Sequence, residues 1–268
     1  MAEPTPPSSP SAPATGFDHP VAAPARTPVA VVAGNGLAWW QEGWRLFAAS
    51  PGMWIAITLV FLVLLILLHV VPLIGSFAST VLAPVLAAGM MSGCHAQDRG
   101  SELAMNHLFA GFSERLGPLL VVGLLYLAGT VVIMCVVAAI AIGTIGMSGI
   151  GALMSGDPVQ AGLTLLAGLG IGATLATLAG MLIALPLMMA YWFAPALVML
   201  RHDEPVAAMK ASFGACLANM WPMLVYSLVG LVLAIVATIP FGLGWIVLAP
   251  VFAASVYASY KDIFGAPA

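Results

Sequence analysis

Four side chains able to bind metal or move protons fall within thirteen residues: His95, Asp98, Glu102 and His107. A metal centre needs imidazoles and carboxylates that converge on one point. Glu102 and His107 are five apart, so on a helix they leave on different faces. The sequence therefore predicts a solvated loop followed by a helix start, with Ser101 as N-cap and Glu102 near the positive end of the helix dipole. Cys94, Cys135 and Cys216 are scattered, without a CxxC pair or the pattern of a disulfide scaffold, and read as small apolar helix residues. The sequence contains no phosphate loop, GxSxG, HExxH or dinucleotide fingerprint. Nothing assembles a catalytic set, and the expectation is a protein that is not an enzyme and holds no cofactor and no metal.

The elements around these residues are apolar. Hydrophobic residues make up 62% of the 268-residue chain and charged residues 6%. Soluble domains carry about 25% charged residues, because their surface meets water; most of this surface must meet lipid. The net charge of −3 and the lack of any basic stripe argue against a nucleic-acid partner. Six apolar segments are predicted as transmembrane helices, at about 52–71, 76–94, 117–141, 163–200, 222–239 and 243–260. All seven Lys and Arg residues fall on one side of that layout. Arg26 and Arg45 precede the first span, Arg99 and Arg115 separate the second from the third, Arg201 and Lys210 separate the fourth from the fifth, and Lys261 follows the sixth. The positive-inside rule then predicts a bacterial inner (plasma) membrane protein with both termini cytoplasmic.

No Asp, Glu, Lys or Arg lies well inside a span, which argues against an ion- or proton-coupled pump. His69 and His95 sit near span ends and read as interfacial residues. Residues 1–36, rich in Pro, Ala, Ser and Thr, are expected to form a disordered cytoplasmic tail. The nearly charge-free, Gly-rich stretch 143–161 is expected to hug or dip into the outer face, and whether 143–175 forms a re-entrant element stays open at this point. The fourth segment is longer than one crossing needs, and Pro186 and Pro195 could kink it.

Each pair of spans is preceded by an amphipathic segment expected to lie in the membrane interface, at 37–50, 102–115 and 203–218. Their aromatics, Trp40, Trp44, Phe109, Phe112 and Phe213, are the candidate interfacial anchors. Arg45, Arg99 and Arg201 are the candidate contacts to lipid headgroups, read equally as topology anchors that snorkel to that depth. The layout repeats. Pro51, Pro118 and Pro222 open the first span of each pair, and Pro84, Pro186 and Pro250 sit in the second as candidate helix kinks. The stretch 81–88, VLAPVLAA, returns at 247–254 as VLAPVFAA. The predicted fold class is an all-α integral membrane protein with six transmembrane helices in three hairpins, each preceded by a cytoplasmic interfacial helix. The units run in the same direction, so the repeat would be parallel. Gly89-x3-Gly93 and Gly168-x3-Gly172 fit small-xxx-small helix packing, inside the chain or across a dimer.

The stretch GWRLFAASPGMW, then PLIG at 72–75, LAPVLAAGMMSGC and HLFAGF resembles an uncharacterised bacterial family of multi-span inner-membrane proteins known by a locus-tag label. The resemblance covers residues 37–127 directly and the rest by layout. It implies a membrane protein of proteobacterial type and brings no activity and no site residues. Expected partners are membrane lipid and a protein partner or second copy. The expected function is a non-enzymatic, membrane-organising or accessory protein acting on lipid or partner proteins. The alternative is a transporter or channel for a neutral or lipid-like solute, with Pro84, Pro186 and Pro250 freeing backbone carbonyls around a cavity lined by Ser79, Thr80 and Ser255.

Overall fold

The computed structural model describes residues 27–71 and 74–266, and among them every regular element is helical. Ten α-helices follow in chain order: α1 (Asn35–Ala49), α2 (Pro51–His69), α3 (Ile74–Asp98), α4 (Ala110–Glu114), α5 (Leu116–Met154), α6 (Pro158–Trp192), α7 (Ala194–Leu200), α8 (Pro205–Ala218), α9 (Met220–Thr238) and α10 (Trp245–Phe264). A 3-10 turn, Met105–Phe109, leads into α4. Six helical segments are long and apolar enough to cross a membrane: α2, α3, α5, α6 continued by α7, α9 and α10.

The order of α5 and α6 departs from expectation. The Gly-rich stretch after residue 141 continues as helix to Met154, turns at Ser155–Asp157, and re-enters helix at Pro158. Asp157 caps the new helix by accepting from the Val159 N–H at 2.9 Å, and Pro158 at the first position gives up no helical hydrogen bond. Apolar neighbours on either side let glycines that would favour a loop in water stay helical, because a helix satisfies its own backbone groups in lipid. At 39 and 35 residues, α5 and α6 are about 58 and 52 Å long, against about 30 Å of hydrocarbon. They pack antiparallel, with Gly129 facing Leu187, Val137 facing Gly180, Thr144 facing Gly172 and Ser148 facing Gly168. Gly168-x3-Gly172 thus serves packing within the chain.

Pro84, Pro186 and Pro250 all lie inside continuous helices, where each removes one backbone donor. The interruption of the fourth span comes later, at Phe193, and has a specific cause. The Ser212 hydroxyl of α8 enters the helical ladder, donating to the Met189 carbonyl at 2.6 Å and accepting from the Phe193 N–H at 2.9 Å. A hydroxyl inserted between a carbonyl and the N–H four residues on holds the turn open, and Pro195 starts α7 beyond it.

The core sits at the end of the bundle that carries the charged residues. Trp54, Phe193, Tyr257 and Tyr260 are fully buried there, with Trp39, Trp40, Leu46 and Phe264 around them. Small residues make this density possible. Gly43 of α1 lies so close to α10 that a Cβ would stand 2.7 Å from the Val251 carbonyl oxygen and 2.8 Å from the Ser255 nitrogen; Gly36 meets the Pro222 carbonyl of α9 as closely. Gly89 of α3 backs onto the carbonyls of His107 and Leu108, and Gly93 onto the Leu103 side chain, so Gly89-x3-Gly93 also packs within the chain.

The tail expectation divides. Residues 1–26, Arg26 included, lie outside the described residues, as do Pro72 and Leu73 of the expected tight turn. Residues 29–31 are held in place rather than loose. Val29 N–H donates to the Ile263 carbonyl at 2.9 Å, and Asn219 accepts from Val31 N–H at 2.8 Å while donating to the Val29 carbonyl at 3.1 Å. The segment 102–115 is also less regular than predicted: the first helical residue is Met105, so Ser101 caps nothing and instead donates its N–H to the Ala96 carbonyl.

Candidate functional site

The polar groups of the charged end form a network built by α1, α3 and α10. Asp98 closes α3 and receives the Lys261 ammonium of α10 on both oxygens, at 2.9 and 3.0 Å. Tyr257, one turn before Lys261, donates to the same carboxylate at 3.3 Å. With its hydrogen committed to Asp98, the Tyr257 oxygen is left to accept from His95 Nδ1 at 3.2 Å. On α1, Glu42 takes a two-point contact from Arg45, at 2.8 and 2.6 Å. Arg45 then reaches Asp98 at 3.5 Å, and Lys261 lies 3.8 Å from Glu42. Charges of alternating sign thereby tie three helices together. The Arg45 hydrogen bonds hold the Glu42 carboxyl below its ordinary value, and Glu42 in turn raises Arg45.

Two further clamps flank these ions. Gln97 accepts from Trp54 Nε1 at 3.1 Å and donates to the Leu46 carbonyl at 2.9 Å, joining α2, α3 and α1. Asp262 accepts from both Asn35 Nδ2 and Trp39 Nε1 at 2.8 Å, joining α10 to α1. Beneath them lies an aromatic cluster. Trp40 stacks on Tyr226 with centroids 4.9 Å apart and donates to the Tyr226 carbonyl at 3.0 Å. Trp192 meets Tyr226 and Phe252 edge-on, and the Tyr226 hydroxyl lies 2.7 Å from Ser255 Oγ.

The four residues that opened the sequence analysis do not converge. His95 turns to Tyr257 and Asp98 to Lys261. His107 Nδ1 accepts from the Ala104 N–H of its own turn at 3.0 Å, and Glu102 is exposed. Among the described residues, no group of three or more His, Cys, Asp or Glu is placed to hold a metal ion. What this arrangement does chemically is hold helices: Glu42, Arg45, Asp98 and Lys261 alternate in sign across α1, α3 and α10.

The candidate aromatics separate. Trp40 is buried in the cluster just described, so it packs helices together. Trp44, Phe109 and Phe112 are exposed, with Phe109 and Phe112 paired at 6.2 Å. Phe213 is half-buried and lines a groove of about 370 Å3 between α8, Leu125 of α5 and Ala190 of α6. The candidate cations separate too. Arg99 is exposed, and Arg45 is exposed yet paired with Glu42. Arg201 is largely buried, 3.9 Å from Asp203 and 5.8 Å above the Phe264 ring. Burial raises the Asp203 carboxyl, and Arg201 pulls it partly back. Lys210, which the sequence marks only as a topology residue, stands at the groove that Phe213 lines. Its position four residues after Val206 and three before Phe213, on a helix with an apolar face, was the available signal.

The chain is similar to a protein of Burkholderia thailandensis named "probable inner membrane protein": 28% of 264 aligned residues are identical, over 88% of this chain and 93% of that protein. No protein-family model matches the chain, and no solved structure matches it. Six apolar helices of spanning length and this likeness make the chain an integral membrane protein of the inner-membrane type.

Proposed function

We propose that this chain is a non-enzymatic accessory protein that organises lipid or partner proteins at the leaflet its charged end faces, with both termini cytoplasmic. The observation that carries the reading is the division of labour at that end. The Asp98–Lys261 ion pair and the indole N–H groups of Trp39 and Trp54 are spent on joining α1, α2, α3 and α10, while Trp44, Phe109 and Phe112 stay exposed around the joint. Exposed aromatics beside cations anchor at headgroup depth. The side chains thus support a rigid platform rather than a reaction centre. The same reading takes the architecture as three hairpins in a parallel repeat. In its support, short helices precede α2, α5 and α9, and prolines stand within the first three residues of all three and inside α3, α6 and α10. The transporter alternative finds less support. Ser255 is engaged with Tyr226 and the Phe252 carbonyl, and Ser79 and Thr80 both donate to the Ser76 carbonyl, which leaves these hydroxyls little capacity for a solute.

Two measurements test the proposal. A reporter fused after Asp157 should read periplasmic and one after Lys261 cytoplasmic; the reverse at either position overturns the orientation. Purified full-length chain in liposomes should change the order of headgroup-region probes or copurify a stoichiometric partner. Neither effect, from folded protein, ends the membrane-organising reading.

A further inference from the structure

The groove beside α8 is apolar with one cation on its lining. Its walls are apolar: Leu125, Ala190, Val206, Met209 and Phe213, with Lys210 as the sole charge on its lining. Leu125, the one α5 residue on its lining, lies nine residues on from Leu116, about 14 Å along that helix. Ala190 stands two residues before the end of α6, where α8 crosses it. An acyl chain lying in the groove would meet these apolar side chains, with the Lys210 ammonium beside it.

Lys210 is exposed, and among the described residues no carboxylate pairs with it. By contrast Arg45, Arg201 and Lys261 all have acidic neighbours within 4 Å. A second groove of similar size, about 440 Å3, runs along Ala234, Ile235, Thr238 and Ile239 of α9 and its end and carries no charge. Of these two grooves, the one beside α8 joins an apolar trough to an ammonium that has no carboxylate partner among the described residues. A lysine is a flexible point charge with three donors and meets a phosphate from several directions.

We infer that the α8 groove is a binding site for one anionic glycerophospholipid of the leaflet at the charged end, its acyl chain lying against Leu125 and Phe213 and its phosphate on Lys210. The inference rests on the lipid-directed reading above and specifies the lipid class and the place. The test uses the full chain in nanodiscs of equal parts phosphatidylglycerol and phosphatidylethanolamine, released for native mass spectrometry. Wild type should retain one phosphatidylglycerol in preference. Lys210→Gln should lower the retained ratio about five-fold, the weight of one lysine near an anionic surface (about 1 kcal/mol). Lys210→Arg should keep it. Lys210 is exposed, so the variants should fold; unchanged thermal melting checks this. An unchanged ratio in Lys210→Gln overturns the assignment, as does a wild type that retains both lipids equally, or a dimer that retains no lipid. If wild type orders lipid or holds a partner but shows no preference, this inference falls and the proposed function stands; if it does neither, both fall.

Discussion

The two ends of this bundle are built from similar apolar sequence and reach opposite solutions. In α10, 61% of the span window is buried inside the protein, whereas in α5 and α6 the figure is 11%. At the charged end, α1 presses on α9 and α10 through Gly36 and Gly43, tryptophans fill the gaps, and ions and amides lock the edges. The far parts of α5 and α6 pack on each other, with Gly168 on Ser148 and Gly172 on Thr144, while Leu153, Met154, Leu166 and Leu182 are exposed. In lipid, exposure of a leucine costs nothing, because the tails are as apolar as the side chain. Burial must then come from close packing and from polar bonds. The charged end has both, the long pair mostly the first.

The largest effect should come from putting a side chain where one end tolerates none. Gly43→Leu drives a branched chain into the α10 backbone, and overpacking of this kind costs about 3 kcal/mol. Gly146→Leu, on the open face of α5, meets nothing within 4 Å and should be silent. Thermal melting of the two variants in the same detergent checks the contrast; equal melting points would erase it. A middle effect is expected from Ser212→Ala. It leaves the Phe193 N–H and the Met189 carbonyl without their bridge, at about 1–3 kcal/mol for buried groups. Hydrogen exchange should rise at Phe193 and not at the α5–α6 turn. If the ladder simply recloses, α6 and α7 would become one straight helix and the protection at Phe193 would rise.

The smallest effect is electrostatic and confined to the charged end. Because Arg45 holds the Glu42 carboxyl below its ordinary 4.5, the folded state binds that proton more weakly than the unfolded chain. The stabilisation is therefore complete above 4.5 and fades as pH falls through the lower folded value. The Glu42 side chain is 31% exposed, so solvent screens the pair and the change is small. Tryptophan fluorescence from α1 should shift below that pH in wild type and stay flat in Glu42→Gln, while the α5–α6 pair, whose one acid is Asp157 at its turn, should not respond.

Sequence reading found the spans because hydrocarbon demands long apolar helices, and hydropathy is a property of each segment alone. It did not link Asn219 to Val29 and Val31, whose backbone groups it holds along with the Ala215 carbonyl, because they lie 190 and 188 positions away. It missed the continuity of α5 past residue 141, because glycines read as loop in water remain helical in an apolar setting. It assigned Trp40 to the interface, since the helical spacing of Leu37, Trp40, Trp44 and Phe47 defines an apolar stripe without saying what covers it. Tyr226 and Phe252, nearly two hundred residues away in sequence, cover Trp40.

By itself, then, the sequence determined the membrane class, the number of spans and the gathering of every Lys and Arg at one side, because insertion responds to local hydropathy and charge. Which groups are spent and which remain open was decided by the tertiary structure alone. Asp98 and Lys261 are 163 positions apart and become an ion pair only when α3 and α10 meet. Lys210 has no such partner among the described residues and stands instead beside the groove that Leu125, Ala190 and Phe213 line. A residue's type states what it can bind; only packing decides whether that capacity has already been used.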